Sequence, residues 1–177
     1  DVEPVLEEFL QTIRGLGDRL GVILIQFRPS FTIENFPKVQ AFLDLLPDDL
    51  RFSVEFRHRS WYNSKTEGLL AERNMAWTAT EYLHLPKKIY RTTNFLYVRF
   101  IGYHGRFKIR DKVQIRVTEQ LMWWKENIDQ HLEDVDSVYG FFNNDYSGFA
   151  AGTLNEFRGI VGMGEVDFSH PEQDRLF

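Results

Sequence analysis

The sequence alternates strand-length apolar segments with helix-length amphipathic segments along most of its length. The apolar, strand-length runs occupy residues 22–27, 51–56, 75–80, 95–101 and 137–142. Apolar side chains at helical spacing predict helices over residues 3–19, 34–46, 64–73, 115–132 and 147–161. The first run is apolar on both faces, which predicts a strand that is buried on both faces. Strands that alternate with helices in this way indicate βα units, right-handed crossovers and a parallel sheet.

Both an open doubly wound sheet and a closed barrel are built from such units. No glycine-rich phosphate loop follows any of the predicted strands, which disfavours a nucleotide-binding doubly wound sheet. We therefore expect an α/β protein with a (β/α)₈ barrel of the TIM type, of which about five βα units are present. Because the chain opens on a helix, we expect the N-terminal units to be missing. Residues 1–161 would form the C-terminal part of this single barrel domain, and residues 162–177 an extended tail.

Composition excludes several classes of site. The chain contains no cysteine, which excludes disulfides, thiolate nucleophiles, zinc–thiolate sites and iron–sulfur clusters. A metal would need His, Asp or Glu ligands, and a divalent ion at such ligands stays open. The net charge of −5 argues against a nucleic-acid footprint over the whole surface. No apolar run is long enough to cross a membrane and no signal sequence opens the chain, so we expect a cytoplasmic protein without a membrane partner.

The carboxyl ends of the strands carry the chemistry in a barrel of this type. Polar residues at these ends include Thr78, Thr80, Glu81, Tyr103 and Tyr146. Among the residues at and just after the ends of the predicted strands, we select Glu55, His58 and Asp145 as catalytic candidates. The ligand-binding candidates are Gln26, Arg28, Arg57, Trp61, Arg99, His104, Asn143 and Asn144.

Residues 55–62 hold the densest group of these candidates. A carboxylate such as Glu55 at the end of an apolar strand needs a cation, a hydrogen-bond donor or a metal as its partner. One interpretation is a structural Glu–Arg pair that locks two strands. The other is a general base or metal ligand, which the neighbouring His58 favours because histidine titrates near neutral pH.

Arginines end three separate predicted strands. Arg28, Arg57 and Arg99 offer planar donors of the kind that bind phosphate or carboxylate. Their convergence at one edge predicts a small anionic or phosphorylated ligand. Arg59 is equally well explained as a solvated side chain.

Residues 142–148 end the last predicted strand and begin the last helix. Asp145 or Ser147 could serve only as the helix N-cap, whereas Asn143, Asn144 and Asp145 could also offer polar groups to a ligand. His104 lies in a loop between two glycines, which allow the backbone to approach a bound group. Trp123 and Trp124 lie within a predicted helix and are interpreted as packing residues.

Four ordered segments resemble the YecE-like family, known as domain of unknown function seventy-two. They are residues 21–31, 54–61, 97–100 and 139–148. The resemblance implies a barrel of the TIM type with its N-terminal portion absent here, and it supplies no reaction. Many members of the family place a histidine two residues after the arginine of the third segment, whereas here the nearest histidine is His104.

The tail ends in Gln173, Leu176 and Phe177, which resembles the short peptide that docks bacterial proteins on the DNA sliding clamp. Alternatively, the two apolar residues fold back onto the protein's own domain.

Our leading hypothesis is a hydrolase that acts on a phosphate-bearing or otherwise anionic substrate. Arg28, Arg57 and Arg99 would hold the anion, Glu55 or Asp145 would act as base or metal ligand, and His58 as acid or ligand. The alternative is a non-catalytic binding or interaction module linked to DNA metabolism through the tail. A carbohydrate-active protein with paired carboxylates also stays open, because Glu55, Glu81 and Asp145 all follow predicted strands.

Overall fold

A computed structural model describes residues 2–82 and 84–168. Its strands are β1 (Val22–Phe27), β2 (Arg51–Phe56), β3 (Ala76–Trp77), β4 (Ala79–Thr80), β5 (Phe95–Phe100) and β6 (Ser137–Phe142). Its α-helices are α1 (Glu3–Arg14), α2 (Phe36–Leu43), α3 (Ser64–Glu72), α4 (Thr118–Asp129), α5 (Asn144–Ser147) and α6 (Ala150–Ile160). Short 3₁₀ turns occupy Gly17–Arg19, Ile33–Asn35 and Arg59–Trp61. The predicted alternation of strands and helices is confirmed.

The α/β class is confirmed, but the closed TIM-type barrel predicted from the sequence is wrong. The strands of residues 2–82 and 84–168 form two open parallel sheets, β1-β2-β3 and β4-β5-β6. Alternation requires crossovers between parallel strands, whereas closure requires an unbroken hydrogen-bond ladder around the whole ring. Here the strand predicted over residues 75–80 divides at Thr78 into β3 and β4, which pair in different sheets.

The chain forms two compact units. Among the described residues, unit 1 comprises residues 2–78 and 90–97, and unit 2 comprises residues 79–82, 84–89 and 98–168. The sequence predicted a single domain over residues 1–161.

The sheet of unit 1 has one apolar face and one mixed face. In the parallel register Ile25 pairs with Val54, and Gln26 pairs with Glu55. Because side chains alternate along a strand, one face carries the apolar members of these pairs and the other carries Gln26, Ser53 and Glu55. The apolar face packs into a core of Phe36, Val39, Leu43, Leu46, Phe52, Val54, Phe56, Trp61, Leu69, Leu70, Met75 and Trp77.

Burial separates the central strand from the edge strand. β2 is buried from Phe52 to Phe56, whereas the side chains of β1 are partly exposed. The expectation that the first strand is buried on both faces is therefore wrong. The reason is its place in the sheet, because β1 is paired only with β2 in the described part of the chain.

The sheet of unit 2 is organised around Phe100. β4 and β5 run parallel with Ala79 opposite Val98 and Thr80 opposite Arg99. The Phe100 ring stacks on Phe142 with centroids 4.2 Å apart and meets the edges of two further rings, Trp124 and Tyr146. Trp124 is fully buried on α4, which confirms its interpretation as a packing residue.

Two sequence predictions fall outside this description. Gln173, Leu176 and Phe177, the residues of the proposed clamp-docking peptide, lie beyond the described residues. Of the helices that are described, none is long and apolar enough to cross a membrane.

Candidate functional site

The carboxyl ends of β1 and β2 carry a connected polar network in unit 1. Gln26 and Glu55 are register partners on one face of the sheet, and Arg57 lies two residues beyond Glu55. Arg57 Nε donates to Glu55 Oε1 at 2.6 Å, and Arg57 Nη2 donates to Gln26 Oε1 at 2.9 Å. The planar guanidinium is therefore fixed by contacts on two of its nitrogens.

Glu55 has the environment of a charge-compensated buried carboxylate. Its side chain is fully buried, whereas the Arg57 side chain is 21% exposed. Burial of a carboxylate is costly unless a cation and hydrogen bonds compensate it. The observed pair joins Glu55 of β2 to the first residue after that strand, and the contact of Arg57 with Gln26 links β2 to β1. Glu55 thus orients Arg57, and Arg57 reaches solvent.

Arg28 and Arg57 each follow the last paired residue of their strand. The register pairs Phe27 with Phe56, so that the two arginines are the first residues beyond the ladder of adjacent strands. Adjacent strands lie about 4.8 Å apart. Arg28 is exposed. The backbone of unit 1 therefore starts both arginines from the same edge of the sheet.

His58 caps the 3₁₀ turn at Arg59–Trp61. Its Nδ1 accepts the backbone N–H of Ser60 at 3.2 Å and lies 2.8 Å from Ser60 Oγ. The same hydroxyl oxygen accepts the N–H of Ile33 at 2.9 Å. Because the backbone amide can only donate, Nδ1 is unprotonated here, and the neutral imidazole carries its proton on Nε2. His58 therefore presents a donor at Nε2.

Trp61 is a core residue of unit 1. Its side chain is fully buried, its ring stacks on Phe56 with centroids 4.3 Å apart, and its Nε1 donates to the Phe31 carbonyl at 2.7 Å. The sequence placed Trp61 among the ligand-binding candidates. The structure instead gives it the role of an aromatic support beneath the turn that holds His58.

Tyr62 lies close to the same carboxylate. Its hydroxyl donates to the Phe56 carbonyl at 3.2 Å. Burial, followed by the negative charge of Glu55, raises the pKa of Tyr62 well above its ordinary value. The phenol therefore stays protonated over the physiological range.

Asp145 is the buried carboxylate of unit 2, and both of its oxygens have partners. Oδ1 accepts from Arg110 Nη2 at 2.9 Å. Oδ2 accepts the N–H of Gly105 at 3.3 Å and lies 3.3 Å from Nδ1 of His104. Asp145 is 4% exposed, whereas the His104 side chain is 95% exposed. The arrangement anchors the loop that carries His104 and Arg110 to the start of α5.

Gly102 allows this loop to approach the backbone of α5. Its φ is +70°, and a Cβ at this position would lie 2.2 Å from the carbonyl oxygen of Asp145. Only glycine combines this backbone conformation with such a close approach. The glycine before His104 thus serves the packing of the loop on unit 2.

The two asparagines cap helices. Asn143 Oδ1 accepts the N–H of Asp145 at 2.9 Å at the start of α5, and Asn144 Oδ1 accepts the N–H of Ala150 at 2.8 Å at the start of α6. The sequence analysis offered Asp145 or Ser147 as the helix cap, but the side chain that caps α5 is that of Asn143. These amide oxygens are engaged by the backbone.

Arg99 lies on β5 and is partly buried in unit 2. Its backbone carbonyl accepts the N–H of Glu81 at 3.4 Å, which extends the pairing of β4 with β5 by one residue. Gln26, Glu55 and Arg57 are thus brought together within unit 1, and His104 and Asp145 within unit 2.

A group centred on Glu81 was missed by the selection of site residues. Glu81 Oε2 accepts from Trp124 Nε1 at 2.8 Å and from the Tyr146 hydroxyl at 2.7 Å, and it lies 3.1 Å from Lys87 Nζ. Glu81 directly follows β4, so its position at a strand end was the available signal. Its partners Lys87, Trp124 and Tyr146 come from three separate segments, and no local sequence pattern predicts these contacts.

No three His, Asp or Glu side chains of residues 2–82 and 84–168 are grouped closely enough to hold a metal ion.

Comparison with known proteins identifies the family. The model of the family "Protein of unknown function DUF72" matches residues 1–175 of this chain. A search among curated proteins found no match.

Two solved structures titled as DUF72 family proteins share the fold. The protein from Enterococcus faecalis is 19% identical, with a TM-score of 0.79, and the match covers 98% of this chain and 71% of that one. The protein from Thermotoga maritima is 28% identical, with a TM-score of 0.73, and the match covers 92% of this chain and 66% of that one. Because the family model spans nearly the whole sequence, the chain belongs to the DUF72 family.

Proposed function

We propose that this DUF72 protein is a hydrolase that acts on a phosphate-bearing or other anionic substrate at the carboxyl ends of β1 and β2. The observation that carries the proposal is the fixed guanidinium of Arg57. Its Nε is held at 2.6 Å by the buried Glu55, and its Nη2 is held at 2.9 Å by Gln26. Such an oriented, partly exposed arginine suits an anion, because its planar donors match phosphate or carboxylate oxygens.

Arg28 is the second cation of the proposed anion site. It starts from the strand edge next to Arg57 and is exposed, so it is free to close over a ligand without unfolding the sheet. Because Glu55 compensates Arg57, these three side chains carry one net positive charge, that of Arg28, and they offer the donors of two guanidiniums to an anion.

His58 is the proposed hydrogen-bond donor to the leaving group. Its Nδ1 is occupied by Ser60, which leaves the proton of the neutral ring on Nε2. In the proposed step, water attacks the phosphorus or acyl centre and the bond to the leaving oxygen breaks. His58 Nε2–H donates a hydrogen bond to that oxygen and stabilises its developing charge, the oxygen takes its proton from solvent, and the proton of the attacking water passes to solvent. Glu55 is assigned to the orientation of Arg57 rather than to proton transfer, because its charge is already compensated.

The test uses phosphate binding and the hydrolysis of para-nitrophenyl phosphate. Arg57→Lys keeps a cation beside Glu55 but removes the fork, and we expect phosphate to bind about tenfold more weakly. His58→Ala, which removes the Nε2–H donor, should retain phosphate binding and lower the hydrolysis rate about 100-fold. Arg19→Gln, an exposed arginine of unit 1, is the matched control and should change neither quantity.

Two results would overturn the proposal. If Arg57→Lys and the parent protein bound phosphate equally well, the anion site would be lost. If phosphate bound as expected but no anionic ester were hydrolysed, the non-catalytic binding module would replace the hydrolase.

A further inference from the structure

Unit 2 contains a cavity of about 260 Å³ beside Glu81. Its polar lining comes from Glu81, Tyr82, Tyr103, Arg106, Gln120 and Tyr146, and its apolar lining includes Ile115 and Val117. A few convergent polar groups against an apolar wall are typical of small-molecule sites. None of these residues belongs to the anion site proposed in unit 1.

The carboxylate of Glu81 is fixed by one oxygen. Trp124, Tyr146 and Lys87 all contact Oε2, at 2.8, 2.7 and 3.1 Å. Burial and the hydrogen bond to Glu81 raise the pKa of Tyr146, so that its phenol keeps the proton that it donates. The indole and the ammonium can only donate. The carboxylate is therefore held in a single orientation before any ligand arrives.

The second oxygen of Glu81 has no hydrogen-bond partner within residues 2–82 and 84–168. The side chain is 29% exposed and lines the cavity, so Oε1 is accessible to a ligand. As a carboxylate oxygen it can only accept, and a ligand must bring a donor. Because Lys87 already compensates the charge, a neutral hydroxyl satisfies Oε1 better than a second ammonium would.

Arg106 supplies the opposite chemistry in the same cavity. Its side chain is exposed and its guanidinium lies 5.4 Å from the centre of the Phe107 ring. A free guanidinium of this kind recognises phosphate or carboxylate. Gln120 and Tyr103 add neutral groups that can bind hydroxyls.

We propose that this cavity binds a small hydroxylated anion of the sugar phosphate class, with a hydroxyl donated to Glu81 Oε1 and the phosphate held by Arg106. At about 260 Å³ the cavity is smaller than the pockets of about 300–1,000 Å³ that hold drug-sized ligands, which favours a ligand as small as a pentose phosphate. This proposal does not depend on the hydrolase proposal, because all the residues that line the cavity belong to unit 2 and none belongs to the anion site of unit 1.

The test is calorimetric titration of the full chain with ribose 5-phosphate, ribose and inorganic phosphate. We expect ribose 5-phosphate to bind saturably. Glu81→Gln and Arg106→Gln should each weaken this binding about tenfold or more. Arg106→Gln changes an exposed residue and should fold normally, which keeps the test valid if Glu81→Gln is unstable. Glu126→Gln on the exposed face of α4 and Arg19→Gln are the matched controls.

The variant Arg57→Lys separates this site from the one in unit 1. If Arg57→Lys weakens the binding of ribose 5-phosphate and Arg106→Gln leaves it unchanged, the second site is overturned while the anion site of unit 1 stands. If binding depends on Glu81 and Arg106 but not on Arg57, the second site stands by itself. Absence of any saturable binding of ribose 5-phosphate would also overturn it.

Discussion

Each unit contains a buried carboxylate near a strand end, and these two carboxylates serve different purposes. In unit 1, Glu55 is fully buried and holds Arg57, the first residue after its own strand, whose side chain is 21% exposed. In unit 2, Asp145 is 4% exposed and is contacted by an arginine and a histidine from a loop that is far more exposed. The first carboxylate presents a cation at the strand edge, and the second anchors a loop.

This difference teaches that a buried acid at a strand end does not by itself indicate catalysis. Both residues were catalytic candidates on the sequence alone. What distinguishes them is the side chain that each one holds and how far that side chain reaches solvent. Each of the following experiments tests one side of this contrast.

Arg57→Ala should have the largest effect on stability. The change removes the guanidinium from a fully buried carboxylate, and breaking a buried pair typically costs about 3–5 kcal/mol. Urea unfolding followed by tryptophan fluorescence would measure the loss. A loss below about 1 kcal/mol would mean that Glu55 does not depend on Arg57, and the contrast between the units would fail.

Gly102→Ala should destabilise unit 2 by about 3 kcal/mol, because the new Cβ meets the Asp145 carbonyl at a positive φ. Gly105→Ala is the matched control. It has φ +76° with nothing within 4 Å, so it should cost only about 1 kcal/mol. Thermal unfolding would measure the loss of stability in both variants. Equal losses would contradict a close contact between Gly102 and the backbone of α5.

Alkaline pH should destabilise both units through Tyr62, which is partly buried, and Tyr146, which is buried. Burial raises the pKa of Tyr62 in unit 1 and of Tyr146 in unit 2 above the unfolded value of about 10. A raised folded pKa gives stability that is complete below pH 10 and is lost as pH rises further, by about 1.4 kcal/mol per pH unit for each tyrosine.

Tyr62→Phe and Tyr146→Phe should each reduce the slope of unfolding free energy against pH above pH 10. An unchanged slope in either variant would remove that tyrosine from the explanation.

Arg110→Ala should have the smallest effect, about 1 kcal/mol. Asp145 keeps the N–H of Gly105 and the contact with His104, and Arg110 is 42% exposed. Hydrogen exchange of the loop amides should increase more clearly than global stability falls. A loss as large as that of Arg57→Ala would make the two carboxylates equivalent.

Local sequence pattern predicted the elements of this protein well. The bounds of β1, β2 and β6 match the apolar runs, because the residues of a strand are selected by local alternation and burial. A Glu–Arg pair was one interpretation of Glu55, but it was expected to lock two strands, whereas the observed partner Arg57 is the first residue after the same strand. A helix cap was also expected in this segment, at Asp145 or Ser147, and the observed cap of α5 is Asn143, two residues before Asp145.

Contacts between distant segments were beyond such prediction. Arg110 and Asp145 are separated by 35 positions, and Glu81 meets Tyr146 across 65. The packing of helices and loops against a sheet decides which distant side chains come into contact. Residue type and local spacing do not predict that packing. The site around Glu81 was therefore visible only as one carboxylate after a strand.

The sequence by itself determined the α/β class, the positions of most strands and helices, and the membership of the DUF72 family. Tertiary structure alone decided that the strands form two open sheets, that Trp61 belongs to the core, and that Glu55 and Asp145 hold different partners. The physical reason is the range of the interactions. Strands and helices follow from the neighbours of each residue, whereas closure of a sheet and the surroundings of a charge follow from residues far away in the chain.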